Sequence, residues 1–547
     1  MNAGATLTFT ATVQHSSTAV TPGVVNFCDT NASHCTGTAL LGTVQLISGG
    51  TATLSRVLGV GTYNVKALFA GTAFYTSSES EPQSVTVTGN GGYGSTTTIA
   101  SSGSVNSYTL TGTVTAFGKP IPTGLVSFID TTTGNSVLAT ATLDPTLGFT
   151  VTPAASSAAV DGSPLPGIYG DFNNDGKIDL AIPNGSTNAV SVLLGNGDGT
   201  FQSLGTYATE PGSHTHAIAV GDFNGDGNQD LVVTNLIFCD CDTVSVLLGN
   251  GDGTFQPQVT YGVGYQAYAI VVGDFNGDGD ADLAVANRDD NNVGILLGNG
   301  DGTFRPQTTV PVLVSPVALA TGDLNDDGQI DLIVVNSASQ TISELMGKGD
   351  GTFQDQVLYP VGNSPAGVVV TDLNGDGNPD VAVTNTNDNT ISTQMGRGDG
   401  SFSTFATLAL GISPGPLTIG DFDEDGNPDL ATINTDGNVA NVLFGNGDGT
   451  FKDAVTFAVG SGPAALTAAD FNGDGLTDLA TLVNGEPLAV AVLLNQHTET
   501  ATLNGVALSG PGTHNVFASY AGDDSHEASQ SETIPLAGPE SLRPPRC

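Results

Sequence analysis

Seven short segments of the sequence carry oxygen-bearing side chains at a fixed spacing. Each reads Asp-x-Asn-x-Asp-Gly-x-x-Asp, with Asp replacing Asn at position 3 of the sixth segment. Side chains at positions 1, 3, 5 and 9 can converge as hard oxygen ligands, position 7 can add its main-chain carbonyl, and Gly at position 6 permits the sharp turn. Oxygen-only ligands that include three carboxylates favour calcium.

We call these segments aspartate loops 1 to 7. Their positions 1, 3, 5, 7 and 9, the predicted calcium ligands, are Asp171, Asn173, Asp175, Lys177 and Asp179; Asp222, Asn224, Asp226, Asn228 and Asp230; Asp274, Asn276, Asp278, Asp280 and Asp282; Asp323, Asn325, Asp327, Gln329 and Asp331; Asp372, Asn374, Asp376, Asn378 and Asp380; Asp421, Asp423, Asp425, Asn427 and Asp429; and Asp470, Asn472, Asp474, Leu476 and Asp478.

Two other calcium motifs are excluded by position 12 of the aspartate loops. An EF-hand needs a bidentate Glu there, and a dockerin-like repeat also needs an acid. The seven loops instead have Ile182, Val233, Val285, Val334, Val383, Thr432 and Thr481. Turns rich in Asn and Asp without a metal are the remaining alternative. Because four ligand positions recur in all seven copies, the sequence favours metal binding.

Calcium at this spacing is expected to be structural. At about ten times the dissociation constant, one site stabilises the fold by about 1.4 kcal/mol. Seven independent sites would contribute about 10 kcal/mol, which is comparable to the net stability of a domain. Seven bound Ca²⁺ would also bring the net charge from −43 to −29 and reduce self-repulsion.

The aspartate loops belong to a longer repeat. Their first residues are separated by 51, 52, 49, 49, 49 and 49 positions, and a second motif, close to Gly-Asn-Gly-Asp-Gly-Thr-Phe, lies between them. The second unit shows four β-type stretches: Ala217–Val220, Leu231–Thr234, Val244–Leu248, and a segment from Phe255 towards Tyr261. Four strands in a repeat of this length are typical of a propeller blade, so the array predicts seven blades.

The array begins and ends within a unit, which predicts how the ring closes. The second motif ends at Phe201, and five later copies follow it, while Phe149 in Leu-Gly-Phe-Thr-Val supplies the missing one. We therefore expect a strand near Phe149 to complete a last blade whose other strands come from 466–494. Such a shared blade leaves no exposed sheet edge.

The flanks of the array share a second pattern. Thr21–Phe27 corresponds to Pro122–Phe128, but the continuation of the second copy resumes only beyond the array, at Thr500–Leu503. The predicted fold class is therefore all-β: a seven-bladed β-propeller and two Ig-like β-sandwich domains, the second interrupted by the propeller. The predicted boundaries are 1–90 for the first sandwich, 95–147 and 498–537 for the second, 148–495 for the propeller, and 538–547 for a tail.

Composition limits the possible partners and the location. With 11 Lys+Arg against 54 Asp+Glu, the chain is expected to bind neither nucleic acid nor an anionic membrane surface. No apolar run is long enough to span a membrane, and the net charge favours a monomer. The composition is typical of an extracellular protein. Because the first sandwich begins one strand late and no signal peptide is present, we expect the chain to be a piece of a longer protein.

These loops and blades resemble the FG-GAP (VCBS-type) repeats of integrin α-subunit propellers and of many bacterial surface proteins, and the flanks resemble bacterial Ig-like repeat domains. The resemblance implies calcium binding at positions 1, 3, 5, 7 and 9 of each loop, between the first two strands of a blade. It also implies a bacterial cell-surface location. The ligand-binding residues of the family do not carry over, because no motif marks them.

Strand direction assigns the loops to faces of the predicted propeller. In an antiparallel blade the first and third connections share one face, so the aspartate loops and the Gly-Asp-Gly hairpins are expected on one acidic face. The Asp of each hairpin is interpreted as turn chemistry, with metal assistance as the alternative. Variable loops on the opposite face are where we expect a protein or glycan ligand: Asn235–Asp242, Gly262–Tyr268, Asn287–Asn292 and Asn385–Asn389.

Three smaller signals have mainly structural interpretations. Arg397-Gly398-Asp399 is an RGD tripeptide but also the fifth hairpin, so a turn is favoured over an integrin ligand. His214 and His216 are interpreted as part of a solvated inter-blade loop rather than a metal site. Cys28 and Cys35 are expected to form a disulfide. Cys239 and Cys241 can form a strained bridge or a weak metal site, and Cys547 makes the cysteine count odd.

Three functional classes remain after these exclusions. The favoured one is a calcium-stabilised binding or adhesion module and not an enzyme, because the chain has no nucleophile motif and most of its acids belong to the loops. The alternatives are a carbohydrate-active lyase or hydrolase on a propeller scaffold, and a structural spacer without a ligand. A glycan ligand remains possible, although the chain has no Trp for stacking.

Overall fold

Short runs of β-forming residues between Gly-, Asn- and Asp-rich turns organise the chain almost entirely as strands and turns. The computed structural model describes residues 6–15, 18–19, 24–29, 40–45, 51–57, 61–69, 78–87, 95–105, 107–116, 122–132, 134–143, 152–155, 167–237, 242–403, 406–410, 413–434, 436–483, 489–523, 526 and 528–539. Over these ranges the helical structure consists of one 3-10 turn, Ser337–Ser339. No helix in the described part of the chain is long and apolar enough to cross a membrane.

The described residues of the first sandwich contain nine strands: β1 (Thr6–Thr12), β2 (Gln14–His15), β3 (Thr18–Ala19), β4 (Val24–Asp29), β5 (Leu40–Gln45), β6 (Thr51–Val57), β7 (Gly61–Phe69), β8 (Ser78–Glu79) and β9 (Gln83–Val87). β1 pairs with β6, and a second sheet has the order β5-β4-β7-β8, with β9 also on β7. The two sheets enclose a core that includes Val25, Phe27 and Val65.

The second sandwich takes strands from both sides of the propeller. Before it lie β10 (Ser95–Ser104), β11 (Ser107–Ala116), β12 (Leu125–Asp130) and β13 (Ser136–Thr142); after it lie β42 (His497–Val506), β43 (Thr513–Tyr520), β44 (Ser529–Gln530) and β45 (Ile534–Ala537). One sheet has the order β10-β11-β42, and the other β13-β12-β43-β44 with β45 on β43. Phe128 faces Ala518 across the two halves, so the propeller interrupts this sandwich as predicted.

Between these halves lie seven four-stranded antiparallel sheets, the blades. Blades 1 to 3 are β15 (Ile168–Gly170), β16 (Asp179–Asn184), β17 (Ala189–Gly195) and β18 (Phe201–Ala208); β19 (His214–Gly221), β20 (Asp230–Leu236), β21 (Thr243–Leu247) and β22 (Val259–Gly262); and β23 (Ala267–Gly273), β24 (Asp282–Asn287), β25 (Asn292–Leu296) and β26 (Thr308–Pro311).

Blades 4 to 7 repeat this arrangement. They are β27 (Pro316–Gly322), β28 (Asp331–Asn336), β29 (Thr341–Leu345) and β30 (Val357–Pro360); β31 (Pro365–Thr371), β32 (Asp380–Asn385), β33 (Thr390–Gln394) and β34 (Ala406–Ala409); β35 (Leu417–Gly420), β36 (Asp429–Asn434), β37 (Val439–Leu443) and β38 (Val455–Ala458); and β39 (Ala465–Ala469), β40 (Asp478–Val483), β41 (Ala489–Leu494) and β14 (Thr152–Ala155).

The ring closes through the shared seventh blade. β14, from the start of the array, pairs antiparallel with β41, from its end. The first strands of successive blades contact one another around the ring, including β15 with β39. Phe149, which the sequence assigned to the closing strand, lies outside the described residues. The predicted all-β fold class, a seven-bladed propeller with two Ig-like sandwiches, is confirmed.

The core of the propeller lies between neighbouring blades. The second strands are buried along their whole length in most blades, because both faces pack against adjacent sheets. The predicted fourth strand of blade 2 was wrong at its start: β22 begins at Val259, and Phe255 makes only an isolated bridge with Gly249. Phe255 thus precedes the fourth strand, and its side chain contacts Phe172 of blade 1.

Candidate metal sites and the opposite face

Each aspartate loop connects the first strand of a blade to the second. Loop 2, for example, runs from the end of β19 at Gly221 to the start of β20 at Asp230. The backbone is left-handed at positions 4 and 6 of all seven loops, and the Gly at position 6 has φ between 80° and 91°. An L side chain is strained in this conformation, which explains the invariant Gly at position 6.

The first aspartate of each loop is held by the main chain of its own loop. One Asp171 oxygen accepts the N–H of Gly176 at 2.8 Å, and the corresponding distance is 2.8–3.2 Å in the other loops. Asn173 and Asp175 each accept the N–H two residues further on, both at 2.9 Å. The loop backbone therefore orients the oxygens at positions 1, 3 and 5 of loop 1.

The ninth residue of each loop has a different environment. All seven of these aspartates are fully buried. In loop 2 one oxygen of Asp230 accepts the N–H of Phe223 at 2.9 Å, and the other accepts the N–H of Gly249 at 2.6 Å. The same double contact occurs in the other six loops. Position 9 thus joins its loop to the end of the third strand.

Burial also changes the acidity of these aspartates. It raises the pKa of Asp230 to about 7, against the opposing effect of the two backbone hydrogen bonds, and the nearby carboxylates of the loop raise it further. Burial likewise raises the pKa of Asp179 to about 6 and that of Asp429 to about 7. A divalent cation among these carboxylates would favour their charged forms.

Position 7 cannot supply a side-chain ligand in every loop. The side chain of Leu476 is apolar and fully buried, and the Lys177 ammonium lies 3.6 Å from the Asp175 carboxylate. In these two loops the main-chain carbonyl is the only available oxygen at position 7. The donor set that the seven loops share is therefore four side chains and one carbonyl, all oxygen, which fits calcium.

Loop 6 has the densest arrangement of carboxylates. One oxygen each of Asp421, Asp423 and Asp429 lies within 4.8 Å of the others. The Lys452 ammonium lies 3.1 Å from the nearly buried Asp423 carboxylate. The extra negative charge that Asp423 brings to this loop is therefore paired with a cation from the following hairpin.

The aspartate loops also lie at the contacts between neighbouring blades, which we call joints. The N–H of Gly253, in the hairpin of blade 2, donates to the carbonyl of Phe172 in loop 1 at 2.9 Å. The rings of Phe172 and Phe255 meet edge-on with centroids 5.7 Å apart. Four further joints have the same backbone bond: Gly302 to Phe223, Gly351 to Phe275, Gly449 to Leu373 and Gly199 to Phe471. The last of these closes the ring.

Blade 7 has no Gly-Asp-Gly hairpin after its third strand, and Asn495 replaces it. Its N–H donates to Asp478 at 2.7 Å, as a Gly does in the other blades. Its side-chain amide donates to the carbonyl of Phe422 at 2.7 Å, which is the acceptor that a hairpin glycine would otherwise satisfy. Neither the paired aromatic residues nor Asn495 was predicted from the sequence, although Phe follows the first Asp in five of the seven loops.

The hairpin aspartates have the hydrogen bonds of turn residues. Asp198 accepts both the N–H and the hydroxyl of Thr200, at 3.0 and 2.5 Å. Asp399, within the RGD tripeptide, makes the same pair of bonds with Ser401. The hydrogen bond from the Thr200 side chain is the main cause of a lowered pKa at Asp198. These contacts support the turn interpretation for both motifs.

On the opposite face, the two histidines differ from the sequence prediction. His214 and His216 lie in β19 rather than in an inter-blade loop. The Nδ1 atom of His214 is 2.5 Å from the carbonyl of Gly185 in blade 1, and that of His216 is 2.8 Å from the carbonyl of Tyr268 in blade 3. Both histidines therefore connect neighbouring blades.

The cysteine predictions lie largely outside the described residues. Cys28 is part of β4, but its side chain is not described, and Cys35, Cys239, Cys241 and Cys547 lie outside the described ranges. The disulfide between Cys28 and Cys35 stays a prediction.

The fold and the seven acidic loops define a propeller built from one repeat, with a candidate cation site in every blade. The family description "FG-GAP-like repeat" matches residues 171–233, 234–285, 274–334, 323–383, 372–432 and 421–481. Since these matches together span more than half of the sequence, the chain belongs to the FG-GAP-like repeat family. Residues 1–88 match "Bacterial Ig-like domain (group 3)".

Three solved structures resemble the chain at low sequence identity. The periplasmic gluconolactonase of Pseudomonas aeruginosa has 16% identity and a TM-score of 0.47 over 62% of this chain and 97% of its own. A putative 6-phosphogluconolactonase from Bacteroides uniformis has 17% identity and a TM-score of 0.43, over 61% and 97%. The α-L-arabinanase of Penicillium chrysogenum has 10% identity and a TM-score of 0.37, over 66% and 99%. No protein of curated function matches the chain.

Proposed function

We propose that this protein is a calcium-binding, extracellular recognition or adhesion module of a bacterial cell surface, in which the propeller presents ligand-binding loops. Its calcium ions, about seven, would be structural and held by positions 1, 3, 5, 7 and 9 of the aspartate loops. When bound, calcium would supply positive charge among carboxylates that otherwise repel one another. The chain would act as a monomer.

One observation carries this proposal: in six of the seven aspartate loops, a main-chain carbonyl accepts a hydrogen bond from a neighbouring blade. The bond from Gly253 to the Phe172 carbonyl lies one residue from Asp171, the first candidate ligand of loop 1. A cation that orders the loop would therefore also order the joint. Five such joints have the same bond, so ordering by calcium would extend around the ring.

The loops support a structural rather than a catalytic role for the metal. A catalytic metal site keeps an open position and a nearby general acid or base. Here Asp230 uses both oxygens to hold backbone N–H groups, and Asp222 accepts N–H groups of its own loop. The acidic groups of each loop are thus engaged in maintaining the loop.

The recognition surface would be the face opposite the aspartate loops. The second strands of the blades begin at the aspartate loops and end on that face, where loops such as Asn287–Asn292 vary between blades. Variable loops on a rigid ring are a common basis for binding. Glycan and matrix-protein ligands are the two classes that we expect.

Array binding tests the proposal directly. The fluorescently labelled chain, applied to glycan and matrix-protein arrays, should give binding in excess calcium that disappears in EDTA. Binding that is unchanged in EDTA would contradict a calcium-stabilised scaffold, and no binding to any surface would favour a spacer. Turnover of polysaccharides, measured in parallel as release of reducing or unsaturated ends, would favour the enzyme instead.

A further inference from the structure

Blades 2 and 3 depart from the repeat at three described positions that lie together on the face opposite the aspartate loops. Six residues before the first aspartate of the loop, blades 2 and 3 have His216 and Tyr268. The same position in blades 4 to 7 has Val317, Ala366, Gly415 and Ala464. Six residues after the last aspartate, blade 3 has Arg288, and no other blade has a charged residue there. His216, Tyr268 and Arg288 therefore occupy positions at which the other blades fold without such side chains.

These three side chains form one stacked group across blades 2 and 3. The rings of His216 and Tyr268 have centroids 4.1 Å apart, and the Arg288 guanidinium lies 5.2 Å from the Tyr268 centroid. The Nε–H of Arg288 donates to the Ser315 hydroxyl at 3.1 Å, which attaches the group to the approach to blade 4. All three side chains are half-buried. The ring contacts and this hydrogen bond restrain the guanidinium.

The charge state of the group follows from its contacts. The carbonyl of Tyr268 can only accept, so the Nδ1 atom of His216 carries the proton, and Nε2 of the neutral ring is an acceptor. Burial lowers the pKa of His216, which keeps the ring neutral at pH 7. Among the described residues, no ion pair includes Arg288. The neighbouring Asp290 carboxylate instead accepts the N–H of Tyr265 at 2.8 Å.

We propose that His216, Tyr268 and Arg288 form a recognition site for a sugar acid, a uronate unit of an acidic glycan. A guanidinium binds a carboxylate through charge-assisted hydrogen bonds. The Nε2 atom of His216 accepts a hydrogen bond from a sugar hydroxyl, and the Tyr268 hydroxyl can donate or accept. A sugar acid carries hydroxyls beside its carboxylate, whereas an Asp or Glu side chain of a protein partner carries none. At physiological salt the negative charge of distant loops is screened beyond about 8 Å, so the local arginine determines the interaction.

This inference rests on the proposed role of the propeller as a binding scaffold, and it is tested with the calcium-saturated chain of 547 residues. The probes are an oligosaccharide of glucuronate and N-acetylglucosamine, its methyl-esterified form, and a short Glu-Gly peptide. Calorimetry should detect binding of the acidic oligosaccharide alone. Arg288→Gln should weaken this binding at least about tenfold, and Tyr268→Phe should weaken it less.

Arg305→Gln is the matched control. Arg305 lies in the same blade, but its Nε–H donates to Asn299 in a hairpin on the face of the aspartate loops. This substitution removes the same charge and should leave binding unchanged. Three results would overturn the site. The two arginine substitutions could weaken binding equally, the methyl ester or the peptide could bind as well as the acidic oligosaccharide, or the acidic oligosaccharide could fail to bind. Calcium-dependent melting of the same samples separates this failure from failure of the proposed calcium scaffold.

Discussion

His514 and Asp130 join the two halves of the interrupted sandwich, although 384 positions of sequence separate them. The Nδ1 atom of His514 lies 2.6 Å from the Oδ2 atom of Asp130, and the side chains are 4% and 2% exposed. The Nε2 atom of His514 lies 3.1 Å from the carbonyl of Gly510. Both partners are acceptors, so both ring nitrogens carry protons and the pair is ionic. The pair links the half of the sandwich that precedes the propeller to the half that follows it.

This ion pair predicts a pH dependence for the second sandwich. The hydrogen bond to Asp130 raises the pKa of His514. Burial alone would raise the pKa of Asp130, but the hydrogen bond from His514, the hydrogen bonds from Thr132 and the charge of His514 together outweigh burial and lower it. The histidine therefore contributes stability that is complete below its unfolded pKa of about 6.5 and is lost as pH rises through its higher folded pKa. The aspartate contribution is complete above about pH 4 and is lost in stronger acid.

His514→Gln should remove this dependence. Hydrogen exchange in β12 and β43, corrected for the intrinsic effect of pH, should be slower in the unsubstituted protein at pH 6 than at pH 8, and this difference should disappear in the variant. His214→Gln, the same substitution in the propeller, should leave it intact. An unchanged pH profile in His514→Gln would show that the pair does not hold the halves together.

Two substitutions in loop 2 separate the architectural role from the proposed metal role. Asp230→Asn replaces one of two buried oxygens that each accept an N–H group with an NH2 group that cannot accept, so it should cost about 1–3 kcal/mol even in EDTA. Asp226→Asn leaves an oxygen for the N–H of Asn228, so it should change stability in EDTA by less than about 0.5 kcal/mol. In excess calcium, however, Asp226→Asn should lower the free energy of unfolding by about 1.4 kcal/mol, because one ion no longer binds. Denaturant unfolding in both conditions provides the measurement, and equal behaviour of the two variants would contradict this division of roles.

At the joint between blades 6 and 7, the Asn495 side chain supplies the hydrogen bond to the loop carbonyl. Asn495→Ala leaves the buried carbonyl of Phe422 without the amide that donates to it, so it should cost about 1–3 kcal/mol. Asn446→Ala removes an exposed bond to Thr450 and should cost less than about 0.5 kcal/mol. Thermal unfolding in excess calcium compares them. Equal melting temperatures would mean that Asn495 does not replace the missing hairpin.

Loop 6 should respond to calcium more strongly when its lysine is removed. Without calcium, the Lys452 ammonium pairs with the Asp423 carboxylate, and this contact raises the pKa of the lysine. Lys452→Met should therefore melt at a lower temperature in EDTA and gain more from excess calcium than the unsubstituted protein does. Lys348→Met, a matched change in the hairpin of blade 4, should alter neither value. A reduced calcium response in Lys452→Met would mean that the lysine assists the ion rather than substitutes for it.

The features that the sequence predicted are local. The Asp-x-Asn-x-Asp-Gly pattern acts through hydrogen bonds within a few residues, such as Gly176 to Asp171, so its spacing predicts the loop and its repetition predicts the blades. The joints could not be predicted in this way. The contact between Phe172 and Phe255 joins different blades, and its partners become neighbours only when the ring forms.

The positions of His214 and His216 show the same limit. Their polarity predicted a solvated loop, yet both lie in β19, because each imidazole has a main-chain carbonyl of an adjacent blade as its partner. A sequence pattern cannot supply that carbonyl. The pairing of Asp130 with His514 was likewise not foreseen, since the relationship between the two sandwiches predicted matching strands but not side-chain contacts between them.

The most direct test of the central claim is a calorimetric titration of EDTA-treated protein with calcium, with thermal unfolding at both end points. We predict about seven bound ions and a large rise in the melting temperature of the propeller. Every aspartate loop has oxygen-bearing side chains at positions 1, 3, 5 and 9, and in six of the seven loops a backbone carbonyl accepts a hydrogen bond from a neighbouring blade. No binding, or binding without a rise in melting temperature, would contradict the account of calcium as the stabiliser of the ring.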